Sequence, residues 1–153
     1  MTPDDIRAYG DEIYDALCAR HTLAPLTERC PDITIEDAYQ ISLRLVSRRL
    51  DAGETLVGKK IGVSSKAVQD MLNVHQPDFG FLTNGMVYDH GSEMPISTKL
   101  IQPRAEGELA FRLKKDLAGP NVTEEQVLAA TESVVPCFEV VDSRIENWKI
   151  KIQ

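Results

Sequence analysis

The chain has few cysteines and few aromatic residues, no run of positive charge and no long apolar stretch. Its three cysteines, Cys18, Cys30 and Cys137, are odd in number, widely spaced and form no CxxC. That argues against a disulfide framework and for a reducing compartment. No cluster of Lys or Arg stands out, and 17 basic against 24 acidic residues give a net charge of −7. A nucleic-acid phosphate backbone is therefore a poor partner. No apolar run approaches the roughly 20 residues needed to cross a bilayer. The opening MTPDDIRAYG carries acidic residues where a signal peptide needs positive charge. The expectation is a soluble cytoplasmic protein. His21, His75 and His90 are scattered over loops and are assigned no chemistry.

What is present fits one globular domain of ordinary size: 153 residues, 42% hydrophobic and 27% charged. Thr2, Pro3 and Asp5 make a helix start, and Ile6, Tyr9, Ile13, Ala16 and Leu17 follow at helical spacing. A second helix is expected from Thr34, with Asp37 completing a capping box, to near Gly53. Ala38, Ile41 and Leu45 give it an apolar stripe, with Arg44, Arg48 and Arg49 largely outside. From residue 54 the texture changes. ETLVGKKIGV reads as a strand, SSKAVQDMLNV as a short helix capped by Ser64 or Ser65, and QPDFGFLTNG as turn-rich. MVYDHGSEMPI reads as short extended segments around a Gly turn. GELAFRLKKDL reads as a strand, TEEQVLAATESVV as a helix opened by Thr123 with Gln126, and PCFEVVDSRI and WKIKI as strands. The fold class is α+β, an N-terminal helical segment over 1–53 followed by a β-rich part over 54–153.

Two features sit oddly with this pattern. In PRAEGELAFRL, Glu106 and Glu108 point to one face of a strand, since strand side chains alternate. In PCFEVVDSRI, Glu139 interrupts an apolar run that reads as a buried strand. Three carboxylates on two core strands make a candidate site for a hard cation such as Mg²⁺ or Mn²⁺, which relieves their repulsion. On spacing alone the bland alternatives stay open: E-x-E as a solvent-facing edge, and Glu139 paired with Arg104 or Arg144. Lys60, bracketed by Gly58 and Gly62, is either a catalytic lysine or a surface one. Asp78, after Pro77, is also a plain turn residue. Trp148 begins an alternating segment and reads as core.

Taken together, GKKIGVSSKAVQDMLNVHQPDFGFL, LIQPRAEGELAF and CFEVVDSRIENWKIKI resemble the 2-hydroxypenta-2,4-dienoate (2-oxopent-4-enoate) hydratases. These stand with the 4-oxalocrotonate decarboxylases in the fumarylacetoacetase-like superfamily, and the resemblance covers essentially the whole chain. It implies metal-dependent hydration of the dienol to 4-hydroxy-2-oxopentanoate in meta-cleavage degradation of aromatic compounds. It also implies a divalent metal, Mg²⁺ or Mn²⁺, on Glu106, Glu108 and Glu139, and catalytic roles for Lys60 and Asp78. The helix opened by Ser64 and Ser65 is placed to meet a substrate carboxylate, with Ser65 as the binding residue. The implied fold is N-terminal helices followed by a twisted, barrel-like β core. The implied partners are further copies of the chain and a companion 4-oxalocrotonate decarboxylase. The alternatives are decarboxylase activity itself, or a non-catalytic subunit of such a complex. In the family the chain continues past the equivalent of WKIKIQ into a block beginning Asp-Thr. The expectation is therefore that the β core over 54–153 is incomplete.

Overall fold

The computed structural model of the chain describes residues 1–146 and 148. The strand expected at WKIKI lies outside these residues except for Trp148. That residue sits in a turn rather than a strand, half-buried, and donates its indole N–H to the Gln102 carbonyl at 3.2 Å. The described residues fall into two compact units, Met1–Gln102 with those from Ser143 onward, and Pro103–Asp142. Among the described residues, no helix is long and apolar enough to cross a membrane.

The first unit begins with α1 (Pro3–Ala19), capped as its sequence requires. The Thr2 hydroxyl accepts from the Asp5 N–H, and the Asp5 carboxylate accepts from the Thr2 N–H. A short α2 (Leu26–Arg29) occupies the connection, and α3 (Ile35–Asp51) repeats the capping box with Thr34 and Asp37. Ala16 and Ile41 are buried where α1 meets α3. The helices touch at Gly10, where a Cβ would lie 2.5 Å from both Cβ and Cγ of Arg44. The arginines outside the apolar stripe tie the pair at its rim: Arg44 and Arg48 reach Asp11 at 2.8 and 2.9 Å.

Beyond α3 come β1 (Leu56–Gly62), α4 (Lys66–Leu72) and β2 (Asp78–Thr83). β2 corrects the turn-rich reading of QPDFGFLTNG. Asn, Asp and Gly there concealed an antiparallel partner for β1, with Lys60 opposite Gly80 and Gly62 opposite Asp78. Phe79 stacks on Tyr39 of α3 with ring centroids 4.5 Å apart, so this face of the ribbon packs on the helix. Thr83 is fully buried and its hydroxyl bonds the Glu54 carboxylate, which also accepts from Arg49 at 3.0 Å. That half-buried junction ties the C-terminal end of α3 to the end of β2. Met86 closes a 3₁₀ turn (Asn84–Met86), and the rest of MVYDHGSEMPI up to Pro95 is irregular chain with a turn at His90 and Gly91, where short extended segments around a Gly turn were expected. A short α5 (Ile96–Lys99) follows.

The second unit is a long antiparallel ribbon of β3 (Pro103–Leu113) and β4 (Thr131–Asp142), with α6 (Glu124–Ala130) leading directly into β4. The helix expected through TESVV stops at Ala130. Thr131, Val134 and Val135 are β-branched and pair with β3 instead. One register shift at Arg112/Leu113 leaves Glu132 as an extra residue in β4. Neither strand is buried as expected: every β3 residue after Pro103 is exposed. On one face Leu109, Phe111, Val134 and Phe138 stand in solvent. The α+β reading holds, and the described strands form two two-stranded ribbons without closing a barrel.

Gly10→Ala is expected to destabilise the first unit by about 1–3 kcal/mol, as overpacking does, read from the urea midpoint. An unchanged midpoint would contradict the close approach of α1 and α3. Asp37 is held down to about 2, first by its side-chain and backbone hydrogen bonds to Thr34 and then by the Met1 ammonium. A depressed carboxyl contributes stability above its unfolded value and loses it as pH falls through its folded value. The thermal midpoint of the native protein should therefore fall more steeply between pH 4 and pH 2 than that of Asp37→Asn. Parallel curves would rule this out.

Candidate functional site

Strand alternation and register together build the carboxylate cluster. β3 presents Glu106 and Glu108 to one face, and antiparallel pairing sets Glu139 directly opposite Glu106 and Cys137 opposite Glu108. One carboxylate oxygen from each of the three glutamates lies within 4.8 Å of the others. Glu106 and Glu108 are exposed and Glu139 is half-buried. Like charges directly across a ladder destabilise it, and a cation between them reverses the sign of that contribution. The donor set is oxygen only, on side chains able to close to about 2.0–2.6 Å of an ion, which fits Mg²⁺, Mn²⁺ or Ca²⁺. Among the described residues this is the one group of its kind. Cys137 beside Glu108 was not foreseen, although its two-residue spacing from Glu139 places both on one strand face.

The other candidate residues lie in the first unit. Lys60 and Asp78 are eighteen residues apart in sequence, yet the β1–β2 ribbon brings the Lys60 Nζ to 3.9 Å from Asp78 Oδ1. About half of the Asp78 side chain is exposed, but Oδ1 itself is buried and accepts no hydrogen bond among the described residues. Both side chains project from the ribbon face opposite the one Phe79 packs on α3. After β1 the chain turns through Val63, whose φ of 53° is strained for a β-branched residue. Its carbonyl is held by the Gln69 side chain at 2.9 Å. That turn delivers Ser65 to the N-cap of α4, where its hydroxyl oxygen accepts from the Val68 N–H at 3.2 Å. Sequence reading marked Gly62 but missed Gly80, which was hidden in the stretch taken for turns.

Comparison with known proteins places these features in a context. No family model matches the chain. It is 69% identical over 148 residues to a 2-hydroxypent-2,4-dienoate hydratase of Pseudomonas putida, covering 97% of this chain and 67% of that protein. It is 62% identical to a 2-hydroxyhexa-2,4-dienoate hydratase of Comamonas testosteroni, covering 97% of this chain and 56% of that one. Among solved structures, the 4-oxalocrotonate decarboxylase from Pseudomonas putida G7, complexed with magnesium and adipate, matches with a TM-score of 0.91 at 33% identity. That match covers 97% of this chain and 56% of the decarboxylase. The chain thus spans roughly half to two thirds of the length of the relatives it matches. On sequence identity and fold together, the chain belongs to the hydratase/4-oxalocrotonate decarboxylase family.

Proposed function

We propose that this protein is a hydro-lyase that adds water to 2-hydroxypenta-2,4-dienoate, giving 4-hydroxy-2-oxopentanoate in the meta-cleavage degradation of aromatic compounds. The observation that carries the reading is the convergence of Glu106, Glu108 and Glu139 on one face of the β3–β4 ribbon. The 69% identity to a named hydratase favours hydration over decarboxylation, for which the relative stands at 33%. Mg²⁺ or Mn²⁺ is the cofactor the three carboxylates would hold. When bound, it would supply Lewis-acid polarisation of the substrate's 2-oxygen and carboxylate.

The remaining chemistry is proton movement, and its protons balance. One leaves the 2-hydroxyl and one leaves the added water, while C5 and C3 of the substrate each gain one. Lys60 and Asp78 are the general acid and base for these transfers, an ammonium and a carboxylate close enough to hand a proton on through one water. The buried, unbonded Oδ1 of Asp78 is an acceptor with unused capacity. Ser65 binds the substrate carboxylate. Its oxygen is engaged by the Val68 N–H, which leaves the hydroxyl proton free to be donated. The fold family's partners carry over as part of the reading: a cytoplasmic homo-oligomer able to associate with a 4-oxalocrotonate decarboxylase.

Glu106→Gln is expected to weaken Mn²⁺ binding by more than the 10–100-fold typical of losing an outer-shell partner, and to abolish turnover, while the far-ultraviolet circular dichroism stays the same. Normal hydration by that variant, or after exhaustive chelation, would remove the metal from the reaction. Lys60→Ala should lower turnover by roughly 10²–10⁴-fold, the usual worth of a placed acid or base, with Mn²⁺ affinity retained. A native rate would leave Lys60 a surface residue. Release of CO₂ from 4-oxalocrotonate without hydration of the dienol would favour the decarboxylase instead, and inactivity towards both would favour a non-catalytic subunit.

A further inference from the structure

We propose that Gly62 and Gly80 are positioning residues for the Lys60–Asp78 pair, their missing side chains forming the track along which the lysine lies. A strand side chain ordinarily stands roughly perpendicular to its sheet. Lys60 does not. A Cβ added to Gly80, its direct cross-strand partner, would lie 3.2 Å from Lys60 Cγ and 3.3 Å from Cδ. One added to Gly62 would lie 2.7 Å from Lys60 Nζ and would collide outright with Asp78 Oδ1. The lysine stem therefore runs across Gly80, and its ammonium comes down over Gly62, where the carboxylate of the facing Asp78 also sits.

Space, not backbone conformation, makes the requirement, because neither glycine has a positive φ. Gly58 supplies the contrast. It shares the strand and the face, yet a Cβ there would meet only Leu82 Cδ1 at an ordinary 3.8 Å. Glycine at 58 is thus dispensable to the pair. At 80 an added methyl must nudge a flexible stem by a few tenths of an ångström. At 62 it must displace the ammonium and the carboxylate together. The lysine is also sheltered: only 28% of its side chain is exposed, while its strand neighbours Lys59 and Ile61 are open to solvent.

The inference deepens the reading of Lys60 and Asp78 as acid and base and rests on it for its catalytic consequence. The test compares Gly62→Ala, Gly58→Ala, Lys60→Ala and the double variant Gly62→Ala/Lys60→Ala. It measures kcat, KM and Mn²⁺ affinity, with thermal midpoints to check folding. It also measures the rate at which an amine-specific reagent labels Lys60, mapped by mass spectrometry, with Lys59 on the opposite face as internal reference. Gly62→Ala should lower kcat on the order of 10²-fold, the scale of a misplaced catalytic group, with Mn²⁺ affinity unchanged. In the Lys60→Ala background it should cost nothing further, because both changes disable the same pair. Lys60 should be labelled several-fold faster in Gly62→Ala, with Lys59 unaffected, and Gly58→Ala should match the native protein throughout. Should Gly62→Ala not fold, Gly80→Val, β-branched and suited to a strand, blocks the stem instead and must raise Lys60 labelling. Native labelling of Lys60 in Gly62→Ala, or an equal further loss in the double variant, would overturn the inference. If Lys60→Ala alone turns over normally, the acid–base reading falls, and labelling still decides whether the glycines place the lysine.

Discussion

A β-strand shows only every second residue to a given face, and two paired strands show the same face only where their register agrees. Both ribbons of this protein put their chemistry under that constraint. In β3–β4 it turns an E-x-E into two neighbours and adds Glu139 across the ladder. In β1–β2 it puts Lys60, Gly62, Gly80 and Asp78 on one side and leaves Ile61, Phe79 and Phe81 for the other. The helical pair and the half-buried Arg49–Glu54–Thr83 junction serve this arrangement, because they fix one face of β1–β2 and so decide which face stays available.

The parts of this structure that were legible in the sequence are those set by neighbours along the chain. Thr2, Thr34 and Thr123 each announce a helix because the capping residue and its partner are three positions apart. The same-face placement of Glu106 and Glu108 is equally local. What was not legible depends on pairing at a distance. β2 reads as turns because Asp78 and Gly80 within it, and Asn84 just after it, are turn formers in isolation, and only β1 opposite makes Asp78–Thr83 a strand. The end of α6 was misjudged for the same reason: Glu132, Val134 and Val135 continue a helical pattern on paper, and cross-strand pairing overrides it. That Glu139 stands opposite Glu106, and that Lys60 reaches Asp78, are facts of register that no single segment carries.

The relatives show how much chemistry one scaffold can host. A chain that superposes on a decarboxylase at TM-score 0.91 is far closer in sequence to hydratases. Three carboxylates and a cation suit any reaction through an enolate-like transition state. The choice between adding water and losing CO₂ therefore has to reside in groups that move protons and in the shape around them, and fold alone does not make it.

The extra residue in β4 bears on which changes in length this protein tolerates. With Glu132 bulged out, the ladder from Ser133 to Asp142 keeps step with β3. Deleting or inserting one residue between Glu106 and the bulge would shift the reading frame of the ribbon by a single place, sending Glu106 to one side and Glu108 to the other or setting Glu139 against an alanine or a glycine. The loop from Lys114 to Val122 carries no such phase. Geometry thus leaves room for changes in length in that loop, whereas the strands themselves admit substitutions but not gaps.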